Sequence, residues 1–233
     1  MNWLAQLYLA EGPGIDKHAP RRRGLALVAE TVWREGFELM KLNLLFVLAC
    51  LPVVTIPAAC AGLMRVSLSM AEDRNVYLLQ DFLAASRGFA WKASLGCAGL
   101  VLALMVPAYA ASTYGGLALS NPLYAAPFVL SLSVAALLLV AGAYGLVLMV
   151  RTDWPLRRLV PMALRAALAE PLRPLAALGF IAALWLVHVL LYPVSALMPA
   201  VVNFSFGALA VAFSVLDMVN RLIRAEEEPT DRV

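Results

Sequence analysis

The sequence predicts an all-α integral membrane protein with about five transmembrane helices, and three observations support this class. The first is composition: 63% of the 233 residues are apolar, against about 45–50% in a typical soluble domain. The second is that residues 42–64, 93–150 and 174–216 contain no Asp, Glu, Lys or Arg. The third is length, since a membrane helix needs about 20 apolar residues. The three blocks can therefore hold one, two and two crossings.

The same composition excludes several classes of protein. The long apolar blocks have no polar face, which a helix on the surface of a soluble domain would need. The formal net charge is only +3, so the sequence predicts no nucleic-acid partner. Cys50, Cys60 and Cys97 all lie in or beside apolar stretches without metal-ligand spacing, and we interpret them as packing residues. No metal, cofactor or catalytic residue is predicted.

Residues 1–41 precede the first apolar block. Residues 11–23 contain two prolines, two glycines and a basic triplet, which predicts an extended segment. From Leu25 to Leu39, apolar residues recur near helical spacing with acidic residues and Arg34 between them. This pattern predicts an amphipathic helix lying along the membrane interface.

The first crossing, residues 42–64, is predicted to be broken. Pro52 and Pro57 fall in its middle, and each removes a backbone donor and disturbs the preceding turn. In lipid the freed carbonyl groups need partners, which Thr55, neighbouring helices or water could supply. Asn43 is expected to be buried deeply enough to need a partner of its own.

The remaining blocks predict two membrane hairpins joined by polar connections. The connections contain two further short amphipathic helices, Tyr77–Phe89 and Arg157–Ala169. The predicted crossings together form a transmembrane bundle over residues 42–219, and residues 220–233 form a solvated tail. The five crossings are expected at about 42–64, 93–111, 123–150, 175–198 and 202–219.

Lys and Arg collect in the connections 65–92 and 151–173 and after the last crossing, whereas the two hairpin turns carry none. Because such residues favour the cytoplasmic side, we expect the C-terminus in the cytoplasm. Two arrangements remain open for the N-terminus. Five true crossings would place it outside, although residues 1–41 carry six Lys and Arg. A re-entrant segment at 42–64 would place it inside.

One candidate polar site lies inside an apolar block. Trp185, His188, Tyr192 and Ser195 would share one face if residues 175–198 were a single helix. This face could line a solute path or relay protons, because ionisable groups inside membranes are costly. Alternatively, a neutral His188 could hydrogen-bond to another helix as a packing residue.

Several segments resemble the YesL-like family of small bacterial integral membrane proteins of unknown function. The resemblance covers about residues 12–94 and is carried by GPG at 12–14, by the segment LNLLFVLACLPVVT and by the segment around QDFLAASRGF. The residues that match the family motif are Gly12, Pro13, Gly14, Asn43, Asp81 and Phe82. Family members often accompany carbohydrate ABC transporters and polysaccharide hydrolases, so the resemblance implies a link to sugar uptake.

These observations favour a non-enzymatic accessory protein of the bacterial cytoplasmic (inner) membrane, associated with a carbohydrate ABC transport system. Its expected partners are the lipid bilayer and an ABC permease or further copies of the chain. The alternative is a small solute transporter or channel that uses the His188 face and the broken segment at Pro52, Thr55 and Pro57.

Overall fold

The computed structural model describes residues 25–227, and every regular element in that range is helical, with no strand. Five segments among these residues are long and apolar enough to cross a membrane, which confirms the predicted fold class. The α-helices are α1 (Leu25–Ala49), α2 (Ile56–Ala71), α3 (Leu78–Ala118), α4 (Ala125–Arg151), α5 (Leu156–Ala169), α6 (Leu172–Leu190) and α7 (Phe204–Glu227). The five candidate spans are Val53–Ala71, Leu78–Ala118, Pro122–Arg151, Leu172–Leu190 and Pro199–Glu227.

Helices α1 and α2 form an antiparallel hairpin. The Arg34 Nη2 atom lies 2.7 Å from the Asp73 Oδ1 atom, so the early part of α1 meets the end of α2. Each helix is about 22 Å long between these ends and the break, at 1.5 Å per residue. Collinear helices would hold the two charges far apart. Residues 42–64 therefore do not form the single crossing that the sequence predicts, because the chain reverses between residues 50 and 55.

The reversal has a local cause. Pro52 is extended, and a short 3₁₀ turn at Val53–Thr55 leads into α2. The Thr55 hydroxyl donates to the Ala49 carbonyl, one of the acceptors that the end of α1 leaves free, and lies 2.6 Å from the Pro52 carbonyl oxygen of the turn. The sequence predicts a break at Pro57 as well, but Pro57 does not interrupt a helix. It lies in the first turn of α2, where its missing N–H group costs nothing.

Helix α3 is longer than expected. The predicted amphipathic helix Tyr77–Phe89 and the predicted crossing 93–111 form one 41-residue helix. No proline separates the two segments, so the backbone hydrogen bonds continue through Lys92. Helix α4 returns beside α3 after a tight turn, in which the Asn121 side chain accepts a hydrogen bond from the Leu123 N–H group at 3.0 Å.

Helix α6 ends at Leu190, eight residues before the predicted end of the crossing 175–198. Pro193 follows closely and cannot continue the helix. Residues 191–197 form turns, and a five-residue π-helical segment at Pro199–Asn203 leads into α7. Helix α7 then extends to Glu227, past the predicted start of a solvated tail at residue 220.

The buried core lies where α2, the second half of α4 and α7 meet. Tyr144 and Val147 of α4, Val66 of α2 and Val215 of α7 have no exposed surface. Gly62 allows α2 and α3 to approach closely, because a Cβ atom there would lie 2.8 Å from the Phe82 carbonyl oxygen. By contrast, most of α3 and the first half of α4 expose apolar side chains, as expected of lipid-facing helices.

Candidate functional site

Charged side chains connect the helices at one end of the bundle, which we call the charged end. Its ion pairs link residues far apart in sequence, so they join helix ends that the apolar blocks separate. Arg34 has a raised pKa because Glu35 accepts its hydrogen bond, with Asp73 adding to the effect. The pairs that define the charged end are Arg34–Asp73, Arg151–Glu72, Arg158–Glu226, Arg173–Asp217 and Arg221–Glu170.

The most enclosed of these pairs joins Arg151 to Glu72. Their side chains are only 17% and 14% exposed, whereas both partners of the Arg173–Asp217 pair are more than half exposed. Arg151 also donates from Nη2 to the Asn220 Oδ1 atom at 2.8 Å. One guanidinium group thereby holds the ends of α2, α4 and α7 together.

A cleft of about 400 Å³ lies beside this network. Arg65 and Arg151 provide positive charge on its wall, and Asp81 and Asp153 provide negative charge. Arg65 donates to the Val150 carbonyl at 3.1 Å, at the end of α4, where the helix dipole favours a cation. The full lining is Arg65, Asp81, Ala84, Ala85, Phe89, Val150, Arg151, Thr152 and Asp153.

Two of the predicted motif residues have clear structural roles in α3. The Asp81 Oδ2 atom accepts a hydrogen bond from the Tyr77 N–H group at 3.0 Å, so it satisfies a donor at the start of the helix. Phe82 is 1% exposed and packs against Gly62. Gly12, Pro13 and Gly14 lie outside the described residues.

Asn43 joins the α1–α2 hairpin to the start of α7. Its Nδ2 atom donates to the Pro199 carbonyl at 2.8 Å. Its Oδ1 atom accepts from the N–H groups of Phe204 and Ser205, both at 2.9 Å. Asn43 is fully buried, and its side-chain oxygen caps N–H groups at the start of α7. The expected partner of Asn43 is this helix start.

Asn203 lies at the end of the π-helical segment beside this cap. It is 1% exposed, and neither polar atom of its side-chain amide has a hydrogen-bond partner in the described part of the chain. Such groups are uncommon in proteins because their burial costs free energy. Asn43 and Asn203 thus place two buried amide side chains near the start of α7.

The residues of the His188 face meet, but not as the face of one helix. Because α6 ends at Leu190, Tyr192 and Ser195 belong to the following turns. The His188 Nδ1 atom lies 2.9 Å from the Ser195 carbonyl oxygen, and the Ser195 hydroxyl donates to the His188 carbonyl at 2.7 Å. Trp185 contacts the His188 ring edge-on, with centroids 5.9 Å apart.

This geometry places His188 in the last turn of α6, at the end of the bundle opposite the charged end. The sequence predicts it inside a single helix over residues 175–198, which the structure ends at Leu190. Tyr192 is 68% exposed, and His188 is half-buried. The hydrogen bonds between His188 and Ser195 close the turn after α6.

Sequence reasoning missed the network around Arg151 and the position of Asn203. A signal for the network was present, since Glu72 and Arg151 each lie close to the end of an apolar stretch. Their pairing is a tertiary contact between residues 79 positions apart. Asp217 pairs with Arg173 on α6, a contact between two helices that spacing along α7 does not indicate.

Comparison with known proteins adds one match. Residues 39–111 match the family model described as Protein of unknown function, DUF624. YesL-like proteins belong to DUF624. The match therefore agrees with the resemblance at the level of DUF624. No curated protein and no solved structure matches the chain.

The DUF624 match covers 73 of the 233 residues. It runs from the end of α1, through the break and α2, into the apolar half of α3. It thus contains Asn43, Gly62, Asp81 and Phe82, together with Arg65 on the wall of the cleft. Residues 150–153, which complete the cleft, lie outside the match.

Proposed function

We propose that this chain is a non-enzymatic accessory protein of the bacterial cytoplasmic membrane, associated with a carbohydrate ABC transport system. The charged end would face the cytoplasm, because Lys and Arg favour that side. The ion pair between Arg34 and Asp73 would then place the start of α1 in the cytoplasm with the C-terminus. In this arrangement α1 and α2 would form a hairpin whose two ends both lie on the cytoplasmic side, as expected for the re-entrant alternative.

The cleft at the charged end carries the proposal. It is open and its wall contains two arginines, two aspartates and Phe89. Within the described residues the Asp153 carboxylate makes no hydrogen bond or ion pair, so this group is available to a partner. Arginine and aromatic residues are enriched at protein interfaces, and this wall contains both. We propose that a cytoplasmic loop of an ABC permease docks here, with the link to carbohydrate resting on the family resemblance.

The interior favours an accessory role over transport. The side chains buried between α2, α4 and α7 are mostly apolar, and His188 is half-buried in the last turn of α6. Transporters usually bind their substrates near the midplane, at interrupted helices. A mostly apolar interior offers few groups for such binding, which favours the accessory role.

Photocrosslinking in native membranes tests the accessory proposal. A benzoylphenylalanine at Ala84, an exposed residue of the cleft wall, should crosslink to a carbohydrate ABC permease identified by mass spectrometry. The same probe at Leu119, which is 92% exposed at the opposite end, is the control and should not. Recovery of only this chain from both positions, as monomer or oligomer, would refute the proposal.

The second candidate, a small solute transporter or channel, is favoured by one observation. Asn203 presents an unpartnered buried amide at a π-helical segment, and such helix interruptions often mark functional sites. Solute uptake into proteoliposomes distinguishes the candidates. Transport that is lost in His188→Ala or Asn203→Ala, but kept in Asn121→Ala, would establish this function and displace the first.

A further inference from the structure

Helix α5 lies at the charged end and has three distinct faces. Its inner face packs on α4: Leu159, Ala163 and Ala166 are nearly or fully buried, and Ala163 lies beside Gly145. This contact fixes the orientation of the helix about its axis. The side chains on its outer surface are therefore presented in a defined direction.

The outer surface of α5 has an apolar row. Val160, Leu164 and Leu168 follow i, i+4, i+8 spacing, so they form one stripe. Their exposed fractions are 63%, 39% and 63%. Nothing in the described residues covers them.

Two arginines flank this row. Arg157 and Arg165 are exposed, and neither has an ion pair or hydrogen bond with any residue in the described range 25–227. Their neighbour Arg158 differs, because it pairs with Glu226 and stacks on the Trp154 ring at 4.4 Å. The free positive charge of α5 is thus concentrated at two positions beside the apolar row.

We propose that α5 binds acidic phospholipids of the adjacent membrane leaflet. Arg157 and Arg165 contact the lipid phosphates, and Val160, Leu164 and Leu168 enter the boundary with the acyl chains. An amphipathic helix with basic residues beside an apolar stripe has this affinity for a lipid surface. The helix is held at that depth because it follows Arg151 of one candidate span and precedes Arg173 of the next. The inference is independent of the proposed accessory function.

Each basic residue near an anionic surface contributes about five-fold in binding. Removing both arginines should therefore weaken binding about 25-fold. Zwitterionic lipid should bind weakly in every case, because it offers no net negative charge. Inorganic phosphate should not displace the lipid, since it cannot occupy the apolar row.

Native mass spectrometry of the full-length chain in detergent tests these expectations, with phosphatidylglycerol and phosphatidylcholine as probes. The double variant Arg157→Gln and Arg165→Gln should lose phosphatidylglycerol affinity about 25-fold. The control variant, Arg34→Gln and Arg74→Gln, removes the same net charge from arginines that already pair with acids. It should change affinity less than three-fold, by the same reasoning.

Three results would overturn the proposal. Equal affinity of the unaltered chain for the two lipids would show that α5 does not select acidic headgroups. Equal losses in the two double variants would show a response to net charge alone. Displacement by inorganic phosphate at millimolar concentration would show a free-anion site in place of a lipid site.

Discussion

Replacement of Asn43 by alanine is the sharpest test of how this fold is held together. The change removes the hydrogen bonds to the Pro199 carbonyl and to the N–H groups of Phe204 and Ser205. All three backbone groups lose a partner in a place where Asn43 is fully buried. Water cannot easily replace it there, so the start of α7 is left uncapped.

The magnitude follows from counting these groups. A buried backbone group that loses its partner costs about 1 kcal/mol at the low end of the measured range. Three such groups predict a loss of about 3 kcal/mol in the free energy of unfolding. For a chain of this size each kcal/mol lowers Tm by about 2–4 °C, so the midpoint should fall by about 6–12 °C.

The assay is thermal unfolding of the purified protein in one detergent, followed by the loss of monodisperse protein. The matched control is Asn121→Ala, which removes a single hydrogen bond to Leu123 in an exposed turn. It should cost about 1 kcal/mol or less. An Asn43→Ala midpoint no lower than the control midpoint would refute the reasoning, because the buried cap would then contribute nothing.

Two further predictions concern packing and charge. Gly62→Ala should destabilise the protein by about 1–3 kcal/mol, because its Cβ would lie 2.8 Å from backbone; Gly99→Ala, which meets nothing within 4 Å, should be neutral or stabilising. A Tm for Gly62→Ala equal to that of Gly99→Ala would contradict this close approach. Arg151→Gln should cost about 1.5–3 kcal/mol, because Glu72 loses its enclosed partner and keeps only the exposed Arg74, whereas Arg173→Gln should cost at most about 1 kcal/mol. Equal denaturation midpoints for these two variants would show that the enclosed network contributes no more than a surface pair.

Much of the fold class was readable from the sequence because the membrane imposes a simple rule. A hydrocarbon core needs long uncharged helices, and the distribution of charges marks where they lie. The expectation that Asn43 needs a partner also followed from its place in an apolar stretch. Neither argument could identify the partner, which is 156 residues away.

The predictions for residues 42–64, Pro57 and His188 failed for one reason: each took a helix to continue, or to break, at a proline whose position in the fold was unknown. The interval 42–64 has the length of one crossing, and composition is the same whether the chain continues through Pro52 or reverses there. The two prolines looked alike in sequence, yet only Pro52 lies in the break and Pro57 starts a helix. For His188, helical periodicity was extended past Leu190, although Pro193 could have indicated the end of the helix.

The sequence by itself determined that this protein is helical and membrane-embedded, and where charge interrupts its apolar segments, because these properties depend on local composition and the thickness of a bilayer. The tertiary structure decided the reversal after α1 and the cap that Asn43 supplies to α7. It also decided which arginines of α5 form an ion pair within the described residues and which do not. These depend on contacts between distant residues, whose free energies exist only once the helices have packed.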